Sequence, residues 1–123
     1  MTFRAALDEH LAALQAKDVA RFGATLGDDV LVIDGRGERK RGTEVVLASH
    51  ADWFAISGWT FDYDEVFIRE FQGAALALLT VTYRHQPSDI PVRFLLTLVF
   101  EGNPKDGWKF VYDQNTPLPT VPG

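Results

Sequence analysis

The sequence contains no cysteine. Disulfides, thiolate metal sites and a cysteine nucleophile are therefore excluded, and the composition is compatible with a reducing compartment. Long hydrophobic runs are also missing, since no stretch approaches the ~20 apolar residues that a membrane-spanning helix needs. The first ten residues, Met-Thr-Phe-Arg-Ala-Ala-Leu-Asp-Glu-His, carry acids and lack the apolar stretch of a signal peptide. A cytoplasmic location is the expectation. Excess positive charge is absent too: the formal net charge is -5. Such a surface repels phosphate backbones and anionic lipid, so neither nucleic acid nor a membrane is expected as a partner. One basic run, Arg36, Arg39, Lys40 and Arg41, departs from this locally. Interrupted by Gly37 and Glu38, it reads as a solvated turn rather than a phosphate site.

What is present is ordinary globular material. The 123 residues are 46% hydrophobic and 24% charged, enough apolar content for one real core and too short a chain for two. A single domain is expected over residues 1–116, followed by an extended, proline-rich tail over 117–123.

Thr2 can cap a helix whose inner face carries Phe3, Leu7, His10, Leu11 and Leu14 at steps of three and four. Asp18 starts a second, short helix with Val19, Phe22 and Leu26 inward and Gly27 as its stop. Val30 to Ile33 reads as a strand ending in the Asp34-Gly35 turn. After a polar arm, Gly42-Thr43 introduces a third helix with Val46, Leu47, His50, Trp53 and Phe54 on its apolar face. From Trp59 the period becomes two, with a slip near Asp64-Glu65 that suggests a β-bulge. Three further strands are predicted at about 74–86, 91–101 and 107–115. Helices first and an antiparallel meander after them indicate the α+β class.

The meander can be given a register. Pairing Phe100 with Trp108 sets Leu98 opposite Phe110, Leu96 opposite Tyr112 and Phe94 opposite Gln114, which makes one face almost continuously apolar. Across the earlier hairpin the same logic pairs Tyr83 with Phe94 and Val81 with Leu96. Tyr112 and Gln114 then project among apolar neighbours, where a bound ligand could partner them. Asp113 and Asn115 fall on the outer, mixed face, with no catalytic role. Half-apolar faces of that kind often meet a second subunit.

The order helix, helix, strand, arm, helix and long meander resembles the nuclear transport factor 2-like superfamily. The resemblance is carried by the Lys17-Asp18-Val19-Ala20 junction and by Asp28-Asp29-Val30-Leu31-Val32-Ile33-Asp34, with Gly42 eight residues further on. The closing segment Gly107-Trp108-Lys109-Phe110-Val111-Tyr112-Asp113-Gln114-Asn115-Thr116-Pro117 adds to it, and resembles the SnoaL-like and ketosteroid-isomerase-homologue branch. What the resemblance implies is a cone-shaped, curved antiparallel sheet wrapped around three N-terminal helices. It further implies an apolar pocket for a small hydrophobic molecule and a homodimer formed through the outer sheet face.

By the same resemblance Asp34 corresponds to the general-base aspartate of the steroid isomerases. Its other reading is a strand-ending turn. His10 falls where that group places an oxyanion-stabilising tyrosine; a buried histidine satisfied by one polar neighbour is the competing reading. The second oxyanion aspartate has its counterpart near Leu96, which can donate nothing, so a strict steroid isomerase is not expected. His50, Trp53, Tyr63, Phe94, Tyr112 and Gln114 are the expected ligand-binding residues. His10, His50 and Asp34 match no metal-ligand spacing, and neither metal nor cofactor is expected. The sequence thus points to a pocket protein, with a cofactor-independent isomerase, cyclase or dehydratase acting on a carbonyl compound as the enzymatic form. The alternative is a non-catalytic binding or assembly domain resembling the association domain of calcium/calmodulin-dependent kinases.

Overall fold

A computed structural model describes residues 1–119. Three helices, α1 (Phe3–Gln15), α2 (Val19–Ala24) and α3 (Thr43–Phe54), accompany six strands. The strands are β1 (Leu26–Ile33), β2 (Arg39–Arg41), β3 (Thr60–Phe71), β4 (Ala74–Arg84), β5 (Val92–Asn103) and β6 (Gly107–Pro117). They form one curved, unclosed sheet in the order β2-β1-β6-β5-β4-β3. All neighbours are antiparallel except β1 and β6, which run parallel. Among the described residues no helix is long and apolar enough to cross a membrane.

The helices begin where short polar side chains can satisfy free N–H groups. Thr2 accepts from the Ala5 amide at 3.1 Å and Asp18 from the Arg21 amide at 3.1 Å. The expected inner stripe of α1 is buried throughout, and it packs on Phe100, Trp108 and Phe110 from the concave side of the sheet. α2 is shorter than its sequence pattern suggests: Thr25 caps it, and Leu26 and Gly27 already belong to β1. Gly27 serves close approach rather than helix termination. A Cβ there would sit 3.0 Å from Val111 Cγ1 and 3.3 Å from the Phe110 carbonyl, where β1 meets β6.

Two register findings differ from the sequence reading. In the β4–β5 hairpin, Val81 faces Phe94 and Tyr83 faces Val92, a slide of two residues that leaves every side chain on its expected face. Between β5 and β6 the slide is followed by a bulge. Phe100 faces Phe110, Val99 faces Tyr112, and Val111 is the extra residue. One extra residue inverts the alternation beyond it. Asp113 and Asn115 therefore turn to the concave face, and Tyr112 and Gln114 to the convex one, where Tyr112 Oη donates to Gln114 Oε1 at 2.5 Å. The slip expected near Asp64-Glu65 is present as a register shift between Glu65 and Phe67.

Gly102, at φ 142°, lies opposite Trp108 next to the turn of the β5–β6 hairpin. A Cβ at this position would run into the Gly107 carbonyl. Gly102→Ala is expected to destabilise the protein by about 2–3 kcal/mol, seen as a lower urea midpoint with unchanged slope.

Candidate functional site

A cavity of about 370 Å³ opens between the concave face and the helices. Every element except α2 contributes a side chain: Leu14 from α1, Ser49, His50 and Trp53 from α3, Val32 and then Asp34 from the β1 edge, Lys40 from β2, Phe61 from β3, Tyr83 from β4, Phe94 and Leu96 from β5, and Asp113 and Asn115 from β6. Its walls are mainly apolar with a few polar groups converging on the interior, the usual make-up of a small-molecule site.

Asp113 is the least expected member. In the parallel pairing of β1 with β6 it stands beside Val32, and in the β5–β6 pairing beside Leu98. Its Oδ1 is buried and has no hydrogen-bond partner. Burial disfavours the ionised form, and the Ile33 amide N–H opposes this only in part, so the carboxyl is pushed up to about 8. Near neutral pH it carries a proton and can donate a hydrogen bond. No ion pair involving Asp113 is present among the described residues. A carboxyl with a buried, unpartnered oxygen in the wall of a cavity is a candidate functional group.

Asp34 lies at the cavity edge and is half-buried. Its Oδ1 accepts from the amides of Arg36 at 2.9 Å and Glu38 at 3.0 Å, which fixes the carboxylate in a turn. Asp34 therefore ends its strand in a turn and also borders the cavity. His50 donates from Nδ1 to the Val46 carbonyl at 2.8 Å and stacks on Phe22 at 4.5 Å. Since Nδ1 holds the proton, Nε2 keeps the lone pair. Burial, chiefly, moves its pKa down, and the nearby Lys40 charge acts the same way. Trp53 Nε1 donates to Tyr83 Oη at 3.0 Å, and Tyr83 Oη lies 2.9 Å from Nδ1 of the exposed His85.

Of the residues expected from sequence, the structure brings Asp34, His50, Trp53 and Phe94 to the cavity. It does not bring His10, Tyr63, Tyr112 or Gln114. His10 is 1% exposed and enclosed by Phe22, Phe100 and Phe110, with its Nδ1 2.8 Å from Thr25 Oγ1. The Thr25 hydroxyl spends its one proton on the Phe22 carbonyl at 2.7 Å, so it accepts from His10 Nδ1–H. Desolvation, with a smaller contribution from His50, lowers the imidazole to about 3. It is a neutral core residue. Tyr63 is half-buried on β3 outside the lining, with its phenol raised by burial and by Asp8 and Glu65. Tyr112 and Gln114 are on the opposite face because of the bulge at Val111.

Asp113, Asn115, Lys40, Tyr83 and Ser49 are the polar lining residues absent from the sequence-based site assignment. Signals existed for two of them. Phe110-Val111-Tyr112 places three large side chains in a row, which breaks period two where a bulge can fit. Within β2 the period-two rule turns the middle residue of Arg39-Lys40-Arg41 opposite to its neighbours. Among the described residues no group of three or more His, Cys, Asp or Glu is placed to hold a metal.

A curved, unclosed sheet packed over N-terminal helices, with an apolar cavity between them, defines a cone-shaped α+β fold. The chain belongs to the SnoaL-like domain family, whose family model matches residues 3–117, and it shares its fold with solved nuclear transport factor 2-like proteins. No curated protein matches the sequence. Among solved structures it is similar to a proposed calcium/calmodulin-dependent protein kinase type II association domain from Thiobacillus denitrificans. That match has 22% identity, a TM-score of 0.82 and coverage of 96% of each chain. A proposed dehydratase of the nuclear transport factor 2-like family from Streptomyces avermitilis matches at 20% identity and TM-score 0.79, covering 94% of this chain and 93% of that one. A ketosteroid isomerase-like protein from Erwinia carotovora atroseptica matches at 12% identity and TM-score 0.75, covering 95% and 94%. At these identities the likeness is one of fold.

Proposed function

We propose that this protein is a cofactor-independent proton-transfer enzyme of the isomerase or dehydratase kind, acting on a hydrophobic carbonyl compound held in the cavity. The observation that carries the reading is the proton-bearing carboxyl of Asp113, its Oδ1 without a partner, in the wall of a cavity that also presents Asp34. Asp34 takes a proton from the carbon next to the carbonyl. The electron pair moves to the carbonyl oxygen, and Asp113 donates a hydrogen bond to that oxygen as its charge grows. Return of the proton to a different carbon completes an isomerisation; loss of a hydroxyl from the β-carbon, leaving as water with the proton that Asp34 took up, completes a dehydration. His50, Trp53 and Phe94 orient the ligand. The donor role that the sequence suggested for His10 passes to Asp113 in this scheme. The assembly-domain alternative gives a proton-bearing carboxyl at an open cavity no task.

The test is exchange of the α-protons of 2-tetralone in D2O, followed by proton NMR. The wild-type protein is expected to accelerate exchange above the buffer rate. Asp34→Asn should return it to that rate, and Asp113→Asn should lower it by about 10²–10³-fold, the usual effect of removing one oxyanion donor. The rate should also fall as pH rises through about 8, where Asp113 loses its proton. Full activity in both variants, or no acceleration by the wild type, defeats the proposal.

A further inference from the structure

The basic run of the polar arm is split by the sheet. Arg39 and Arg41 of β2 are exposed, and Arg41 is engaged by Asp29 through two hydrogen bonds of 2.9 Å. Lys40 between them turns inward and lines the cavity. It stands opposite Val32, and Val32 stands beside Asp113 on its other side. A row therefore crosses three adjacent strands: an ammonium group, an apolar spacer and a buried acid, spanning about 10 Å between the outer backbones.

The charges around this row are unequal. Asp113 is held protonated and His50 neutral, so Asp34 and Lys40 carry the charge of the lining. Asp34 is held in place by two turn amides that donate to its Oδ1. Among the described residues Lys40 forms a salt bridge with Glu38 alone, at 3.3 Å, and the Glu38 side chain is 64% exposed while that of Lys40 is 31% exposed. An exposed pair of this kind holds weakly, so Glu38 yields to a better-placed anion. A carboxylate entering beside apolar walls meets the ammonium with less water between them, where the attraction is stronger. We infer that Lys40 forms an anion-binding subsite at the cavity mouth and that the ligand is a hydrophobic acid. Its carboxylate pairs with Lys40, and a carbonyl or hydroxyl oxygen at the other end of an apolar body reaches Asp113. The inference rests on the proposed function and specifies the substrate class of the same cavity.

Isothermal titration calorimetry with two probes tests it: 6-hydroxy-2-naphthoate and the corresponding amide, which differ in the anion alone. The wild-type protein is expected to bind the acid at least tenfold more tightly than the amide. Lys40→Met should erase that preference by weakening the acid and leaving the amide unchanged. Glu38→Gln, which frees the ammonium, should tighten the acid about twofold without affecting the amide, and supplies the test if Lys40→Met fails to fold. Equal binding of both probes to the wild type overturns the anion subsite while the pocket reading survives. Binding of neither removes the cavity as a ligand site, and both readings fall.

Discussion

Between pH 6.5 and 8 the wild-type protein is expected to lose stability at about 1.4 kcal/mol per pH unit, while Asp113→Asn stays level. The sign follows from where the proton is held. In the unfolded chain this carboxyl ionises near 3.8, the ordinary aspartate value, whereas burial in the native protein pushes it up to about 8. Across the interval the native state binds one more proton than the unfolded state, so raising the pH favours unfolding. The contribution is complete below about pH 4 and is lost progressively as pH rises toward 8. Asparagine keeps a similar shape and a hydrogen-bond donor without an ionisation. At pH 8 its melting temperature should exceed the wild-type value by on the order of 10 °C. The advantage should shrink toward pH 4. Urea unfolding of both proteins at half-unit steps of pH measures it, and parallel curves would show that Asp113 is already ionised in the native state. The same variant is expected to lose proton-transfer activity. Gaining stability and losing activity together is the behaviour of a residue kept for function.

The acid side of the profile belongs to His10. Its native imidazole is lowered to about 3, well below the ordinary value of 6.5, because it is buried among Phe22, Phe100 and Phe110. From about pH 6.5 downward the unfolded chain takes up a proton that the native protein refuses. Stability is therefore present above 6.5 and lost as pH falls toward 3. By pH 5 this single group accounts for about 2 kcal/mol. His50, lowered by burial, acts in the same direction. His10→Leu should remove that share of the pH 7 to pH 5 difference, and it leaves no orphaned donor because Thr25 keeps its bond to the Phe22 carbonyl. Denaturation at the two pH values, wild type against variant, gives the answer directly; an unchanged difference refutes the assignment. The exchange of 2-tetralone should stay within about threefold of wild type, in contrast to a loss of about 10²–10³-fold for a true oxyanion donor. Between about pH 4 and 6.5 the His10 and Asp113 contributions have opposite slopes and nearly cancel, so these two groups leave the wild-type profile close to flat there and falling above about 6.5.

The separation between what was legible in the residues and what was not is sharp at these two positions. His10 was readable as inward from the three-and-four spacing with Leu7 and Leu14, because a helix of fixed pitch turns spacing into direction. Whether that inward residue reaches a cavity was not readable. It depends on Phe22, Phe100 and Phe110 closing around it from three elements far apart in the chain. Asp113 fails in the opposite way. Strand alternation assigned it to the outer face correctly for an unbroken strand, and one bulged residue at Val111 moved it inside.

By itself the sequence determined the α+β class, the three helices with their inner stripes, the strand order along the chain, the turn at Asp34 and the acidic, cysteine-free character of the surface. These follow from local rules: helix pitch, strand period, capping and composition. Tertiary structure alone decided the parallel contact of β1 with β6, the bulge at Val111, and the row of Lys40, Val32 and Asp113 across three strands. Each of those is a choice of register between segments distant in sequence. A shift of one residue reverses every side chain beyond it, and no local preference along the chain fixes that choice.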